Sequence, residues 1–149
     1  MEAFVPRAQA SFVVADAADA SLPARSVDPV VCIDALQLAP DRPGLLREVA
    51  RILRPGGRVV ITAWERRGGE PADLPPEHSV GALIEAAGLG VLMCDERDNW
   101  MDQQDRFYEQ VIGADNEMAE PALRMLAEEA RARLAYSASV RRLLLVATV

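Results

Sequence analysis

Two acidic residues stand where short, apolar, β-branched segments end. Asp16 follows residues 11–15, and Asp34 follows residues 30–33. A carboxylate at such a position can accept hydrogen bonds from a ligand or act as a general base. The ordinary alternative is that Asp16 only begins a turn and that Asp34 is a solvated acid at the end of a strand.

The other side chains that could be reactive give weaker signals. His78 is the only histidine and lies in a loop before a predicted helix, so we expect it to be solvated rather than catalytic. Cys32 and Cys94 lie in separate apolar segments without metal-ligand spacing, and both are predicted to be buried free thiols. All 16 basic residues are arginines. Chemistry that needs a lysine is therefore excluded for this chain.

The composition is that of a globular protein with one domain over residues 1–149. Half of the residues are hydrophobic, 26% are charged, and the mean hydropathy is +0.03. No apolar run approaches the roughly 20 residues that span a bilayer, so we expect no membrane partner and a cytoplasmic location. The net charge of −7 and the pI of about 4.7 argue against nucleic acid as a partner, because its phosphates would be repelled.

The pattern of apolar residues predicts an α/β fold. Short buried strands are predicted at 11–15, 30–33, 58–64, 91–94 and 142–147. Helices are predicted from Asp41 to Pro55, between Ser79 and Gly88, and as a pair within 100–135. Strands that alternate with helices indicate a mostly parallel sheet between helical layers.

Three segments, in this order and spacing, resemble the class I S-adenosylmethionine (SAM) dependent methyltransferases, particularly the small-molecule branch. They are residues 12–17 with Leu22-Pro23, residues 27–36 continuing to Pro40-Asp41, and residues 46–58 with their Arg54-Pro55-Gly56-Gly57 turn. The resemblance is dense over 11–64 and only architectural beyond. It implies a partial Rossmann-like methyltransferase fold, with a mostly parallel sheet, an antiparallel C-terminal strand and helices on both faces.

The resemblance also implies a cofactor, SAM, and residues that would contact it. Asp16 would accept a hydrogen bond from the adenine amino group, and the backbone of Ala17 would meet the edge of the ring. Ile33 would lie beside the methionine part of SAM. These assignments place the cofactor at the carboxyl ends of strands, where open α/β sheets bind their ligands.

On the substrate side, the resemblance makes Asp34 and Gln37 the candidate catalytic residues. Asp34 would orient a substrate hydroxyl or act as a general base. Many relatives carry a histidine in the segment where this sequence has Gln37 and Leu38, so a histidine base is excluded there. Leu38 and Trp64 would line the substrate pocket, with ordinary packing of the indole as the alternative. No metal is predicted, since the acidic run at 95–98 is only a weak signal.

The glycine-rich loop of the family and the acid that binds the ribose are missing from the sequence. The implied strand order is 3-2-1-4-5-7-6, and the strands present would be the third to the seventh. The strand at 11–15 would then stand about 14 Å from the strand at 30–33, with unpaired backbone between them. Three resolutions are open: the first strand slides across, another chain supplies strands, or the sequence is a fragment of a longer protein.

The predicted function is SAM-dependent methyl transfer to a small-molecule acceptor by a truncated methyltransferase. The alternative is a degenerate binding or scaffold subunit that does not turn over SAM, which the missing glycine loop favours. A piece of a nucleotide-binding dehydrogenase is a weaker alternative, because no dinucleotide fingerprint is present. For an isolated folded chain we expect a homodimer that pairs across the exposed edge of the strand at 30–33.

Overall fold

A computed structural model describes residues 10–67, 79–97, 99–114 and 121–149. Its elements are β1 (Val30–Ile33), α1 (Arg42–Ile52), β2 (Arg58–Arg66), α2 (Val80–Ala86), β3 (Gly90–Glu96), α3 (Trp100–Ala114), α4 (Pro121–Leu134) and β4 (Val140–Thr148). Short 3-10 turns occupy Leu36–Leu38 and Ser137–Ser139. Apart from residues 11–15, the predicted strands and helices are confirmed to within a few residues at their ends.

The four strands form one mixed sheet in the order β1-β2-β4-β3. β1 is parallel to β2, with Val30 opposite Val59, and β4 runs antiparallel to both of its neighbours. Three strands therefore share a direction and the C-terminal strand is reversed. This arrangement confirms the predicted sheet.

The main core lies between one face of the sheet and helices α1 and α2. Alternate strand residues point into it, among them Ile61 and Leu145, and Leu46 of α1 is fully buried against them. Helix α1 begins as its sequence predicts, because the side chain of Asp41 accepts a hydrogen bond from the backbone N–H of Gly44 at 2.8 Å. Gly56 follows this helix with φ +75°, a conformation that suits glycine in the reversal toward β2.

Helices α3 and α4 form a second, smaller unit. They pack on each other through Val111, Ala127 and Ala130. They reach the other face of the sheet near its carboxyl end, where the guanidinium of Arg133 lies 5.8 Å from the ring of Trp64. Helices therefore contact both faces of the sheet, as predicted.

The prediction of a strand at residues 11–15 is wrong. No strand is assigned there, and the side chains of Phe12 and Val13 are 96% and 76% exposed. The physical reason is that no neighbouring strand among the described residues pairs with this segment, and a lone strand gains no ladder hydrogen bonds. The segment has not moved beside β1 either, so the first of the three resolutions is also wrong.

The outer edge of β1 is open in the described part of the chain, where β1 pairs only with β2. Val31 and Ile33, on the face opposite the main core, are 62% and 54% exposed. The predicted homodimer across this edge stays a prediction.

The two cysteines differ from each other. Cys32 is a buried free thiol as predicted, and its burial raises its pKa. Cys94 is also free but exposed, so the prediction of a buried thiol there is wrong. The reason is that β3, which carries Cys94, is an edge strand of the sheet.

Among the described helices, none is long and apolar enough to cross a membrane.

Candidate functional site

A cavity of about 370 Å³ lies at the carboxyl ends of β1 and β2. Helices α3 and α4 form its opposite wall. Its lining residues are Asp34, Gln37, Leu38, Trp64, Gln104, Phe107, Tyr108 and Arg133. The cavity thus brings together the four predicted residues of the substrate side.

The carboxylate of Asp34 is held from two directions at the end of β1. The hydroxyl of the buried Thr62 donates to its Oδ1 at 2.9 Å, and Arg142 donates to its Oδ2. The backbone N–H of Asp34 in turn donates to the hydroxyl oxygen of Thr62 at 3.0 Å. These bonds fix the direction in which Asp34 faces the cavity.

Arg142 lies between two tryptophans while it holds Asp34. Its guanidinium carbon is 5.8 Å from the ring centre of Trp64 and 4.8 Å from that of Trp100. Cation–π contacts of this kind hold a guanidinium in place when water is excluded. Its Nε is buried without a hydrogen-bond partner among the described residues. Arg142 therefore joins the C-terminal strand, the start of α3 and the end of β1.

Gln37 presents a buried acceptor. Its side-chain amide donates to the backbone carbonyl of Asp34 at 2.7 Å, which fixes which side-chain atom is the oxygen. The remaining atom, Oε1, is buried without a partner in the described part of the chain. A buried carbonyl oxygen that lacks a donor costs about 1–3 kcal/mol. A ligand that brings an O–H or N–H to this oxygen would remove that cost.

The helical wall is mostly aromatic and polar. Phe107 and Tyr108 lie side by side with ring centres 5.8 Å apart, and Gln104 donates to the Tyr108 hydroxyl at 3.1 Å. Arg133 stacks over Trp64 from α4. Leu38 is exposed and contributes to the lining.

The predicted cofactor residues do not line this cavity. Asp16 is exposed and closes a turn, accepting at Oδ1 from the backbone N–H of Ala18 at 2.8 Å. Ala17 is exposed in the same turn, and Ala18 faces Gly44 at the start of α1. Ile33 precedes Asp34 on the open edge of β1. Their contacts with SAM stay predictions.

His78 and Asp98 lie outside the described residues. Within the described ranges, no group of three or more histidine, cysteine, aspartate or glutamate side chains is placed to hold a metal ion.

Comparison with known proteins gives the same family as the motifs. Residues 2–61 match the methyltransferase domain family. Over 75 residues, 48% of this chain, the sequence is 35% identical to the chloroplastic tocopherol O-methyltransferase of Arabidopsis thaliana. Over residues 2–61 the chain therefore resembles the methyltransferase domain family.

Solved structures share the fold of this chain at lower identity. The phosphoethanolamine N-methyltransferase 2 of Haemonchus contortus, solved with SAM, matches 89% of the chain with a TM-score of 0.69 and 19% identity. The cyclase SpnF matches 95% of it with a TM-score of 0.70, also at 19% identity. The chain spans 22% of the length of the plant enzyme, 35% of the Haemonchus protein and 56% of SpnF.

The family match and the cavity overlap only in part. Asp34, Gln37 and Leu38 lie within the matched residues 2–61, whereas the helical wall lies beyond them. Sequence reasoning missed Arg133 and Arg142 as site residues. One signal was available for Arg142, because it is a charged residue at the start of an otherwise apolar strand.

Proposed function

We propose that this chain takes part in moving a methyl group from SAM to an oxygen or nitrogen atom of a small molecule. The observation that carries the proposal is the meeting of Asp34, Gln37 and Trp64 in one cavity at the carboxyl end of the sheet. They come from separate sequence segments, and this end of an open α/β sheet is where ligands bind. The names of two relatives, an O- and an N-methyltransferase, support the choice of acceptor atom.

The residues present fit part of SAM. Asp16 is an exposed carboxylate, and carboxylates accept strong hydrogen bonds from an exocyclic amine. The exposed side chain of Ile33 suits the apolar part of the methionine group. The glycine-rich loop and the ribose acid of the family have no counterpart in the sequence. These residues therefore account for only one side of a SAM site.

Within the cavity, the chain's own residues would position the acceptor. When bound, SAM supplies an electrophilic methyl group whose carbon–sulfur bond breaks as the acceptor's lone pair attacks, the electron pair staying on sulfur. Gln37 Oε1 accepts a hydrogen bond from an O–H or N–H of the small molecule that is not the one deprotonated in the reaction. Asp34 retains lone pairs beyond those used by Thr62 and Arg142, and it receives the proton that the acceptor loses. Trp64 and Phe107 supply apolar surface beside the acceptor, and the main contribution is proximity and orientation.

Calorimetric titration with SAM tests this proposal. We expect a micromolar Kd for the chain. Asp16→Asn keeps the oxygen that closes the turn but removes the charge, so binding should weaken about tenfold. Glu109→Gln, which removes an exposed charge from α3, is the matched control and should leave the Kd unchanged. Absence of binding up to millimolar SAM would contradict the proposal.

A second candidate function is a binding or scaffold subunit without SAM turnover. One observation favours it: the likeness in fold to SpnF, a protein named as a cyclase. A fold hosts several chemistries, and only its site decides among them. The same titration separates the candidates, because a scaffold has no need to bind SAM.

We further infer a cytoplasmic location, supported by the net charge of −7 and the near-zero mean hydropathy. Fractionation of the source cells tests it. Recovery of the protein in the membrane pellet would contradict it.

A further inference from the structure

The charges around the cavity do not cancel. Asp34 and Arg133 are the charged members of the described lining. The carboxylate of Asp34 is already paired with Arg142, which lies behind the lining. The pairing leaves the guanidinium of Arg133 as the cation that an incoming ligand meets.

Arg133 is held in place by contacts that still allow its guanidinium to bind a ligand. Its guanidinium stacks over Trp64, with 5.8 Å between the guanidinium carbon and the ring centre. The hydrogen bond described for it, from NH2 to Glu129, is 3.5 Å long, and both side chains are more than a third exposed. An exposed pair of this kind contributes about 0–1 kcal/mol. An oxyanion that reaches the other donors of the planar fork can therefore compete with Glu129.

At Gln37 the cavity favours a hydrogen-bond donor instead of an anion. The buried Oε1 of Gln37 lacks a donor among the described residues, so it favours an O–H or N–H on the ligand. Apolar surface is supplied by Trp64 and Phe107. The site therefore favours a ligand that combines a hydrogen-bond donor, an apolar body and an anionic group.

We propose that the methyl acceptor carries an oxyanion, a carboxylate or a phosphate, which Arg133 binds, together with a flat apolar body and a hydroxyl or amine. That this ligand is the methyl acceptor rests on the proposed function, but its binding preference does not require SAM. A ligand with a cationic group in place of the oxyanion is disfavoured, because it would face the Arg133 guanidinium.

Binding of matched small molecules tests the proposal. The probes are 4-hydroxybenzoate, its neutral analogue 4-hydroxybenzamide, and 4-hydroxyphenyl phosphate, with fluorescence as the readout. The chain has two tryptophans, Trp64 and Trp100, and both contact Arg142 beside the cavity. We expect 4-hydroxybenzoate or 4-hydroxyphenyl phosphate to bind about tenfold or more tightly than the amide. Whichever anion binds better identifies the source of the oxyanion.

Variants of the arginine locate the preference. Arg133→Gln should remove the difference between anion and amide, and Arg133→Lys should retain part of it. The matched control is Arg106→Gln, which removes an exposed arginine of α3 outside the lining and should leave the difference intact. Circular dichroism and a thermal melt confirm that each variant is folded.

Three results would overturn the inference. The first is equal binding of the anions and the amide by the unaltered chain. The second is no binding of either anion at about 10 mM, a concentration on the order of the weakest specific affinities. The third is a preference that survives in a folded Arg133→Gln variant. Failure of SAM to bind would overturn the proposed function instead, and the two failures are read from separate titrations.

Discussion

The two faces of the sheet differ in how completely they are covered. Helices α1 and α2 bury Ile61 and Leu145 on one face, whereas Val31 and Ile33 on the other face of β1 remain more than half exposed. On the second face, α3 and α4 contact the sheet near Trp64. The main core therefore lies on the covered face, while the open face and edge of β1 leave apolar surface exposed among the described residues.

Truncating one buried and one exposed apolar side chain tests this comparison most directly. Leu46 is fully buried, so Leu46→Ala should lower the free energy of unfolding by about 2–5 kcal/mol. Val31→Ala, on the open face, should change it by less than about 0.5 kcal/mol. Urea denaturation followed by circular dichroism measures both. Similar losses for the two variants would mean that the face of β1 is covered in solution.

The open edge of β1 leads to a prediction about assembly. We expect the chain at tens of micromolar to scatter light as a dimer, because unpaired strand edges recruit further strands. Val31→Lys should shift it toward monomer, since a charge beside the edge opposes pairing. Met125→Lys, which places the same charge on the exposed part of α4, is the control and should stay dimeric. A wild-type chain that is monomeric at these concentrations would refute the pairing.

A smaller effect concerns the segment that leads into β1. The buried carboxylate of Glu48 accepts from Arg51 and from the backbone N–H of Ala20, and the Arg51 hydrogen bond lowers the pKa of Glu48. Its contribution to stability is therefore complete above the ordinary pKa of 4.5 and is lost as the pH falls through the lowered value. Glu48→Gln should flatten this part of the stability profile, measured as melting temperature between pH 6 and pH 3. An unchanged slope would show that Glu48 does not tie this segment to α1.

Much of the fold could be predicted because its signals are local. The capping aspartate at position 41, the glycine after α1 and the β-branched run of β1 each act within a few residues. The segment at 11–15 has the same β-branched character, yet a strand needs a neighbour, and sequence pattern does not reveal whether one is present. Cys94 was misjudged for a similar reason, since its apolar surroundings do not show that β3 lies at an edge.

The site residues also differ in whether local sequence signals could predict them. Asp34 and Gln37 follow β1 directly and could be predicted from the resemblance. Arg133 and Phe107 enter the cavity through the packing of α3 and α4, and helical periodicity does not specify where a helix pair docks. Likewise, helical periodicity does not specify that Trp100, at the start of α3, contacts the guanidinium of Arg142.

The position of β4 in the sheet determines when the sheet can form during synthesis. Of the four described strands, the one synthesised last lies in the interior, between β2 and β3. While the chain emerges from the ribosome, those two strands have no common partner until residues 140–148 arrive. The same strand delivers Arg142 to Asp34, 108 positions away along the chain. A nascent chain that stalls before this strand would therefore lack both a connected sheet and a formed ligand cavity, and ligand binding would report that residues 140–148 have been made.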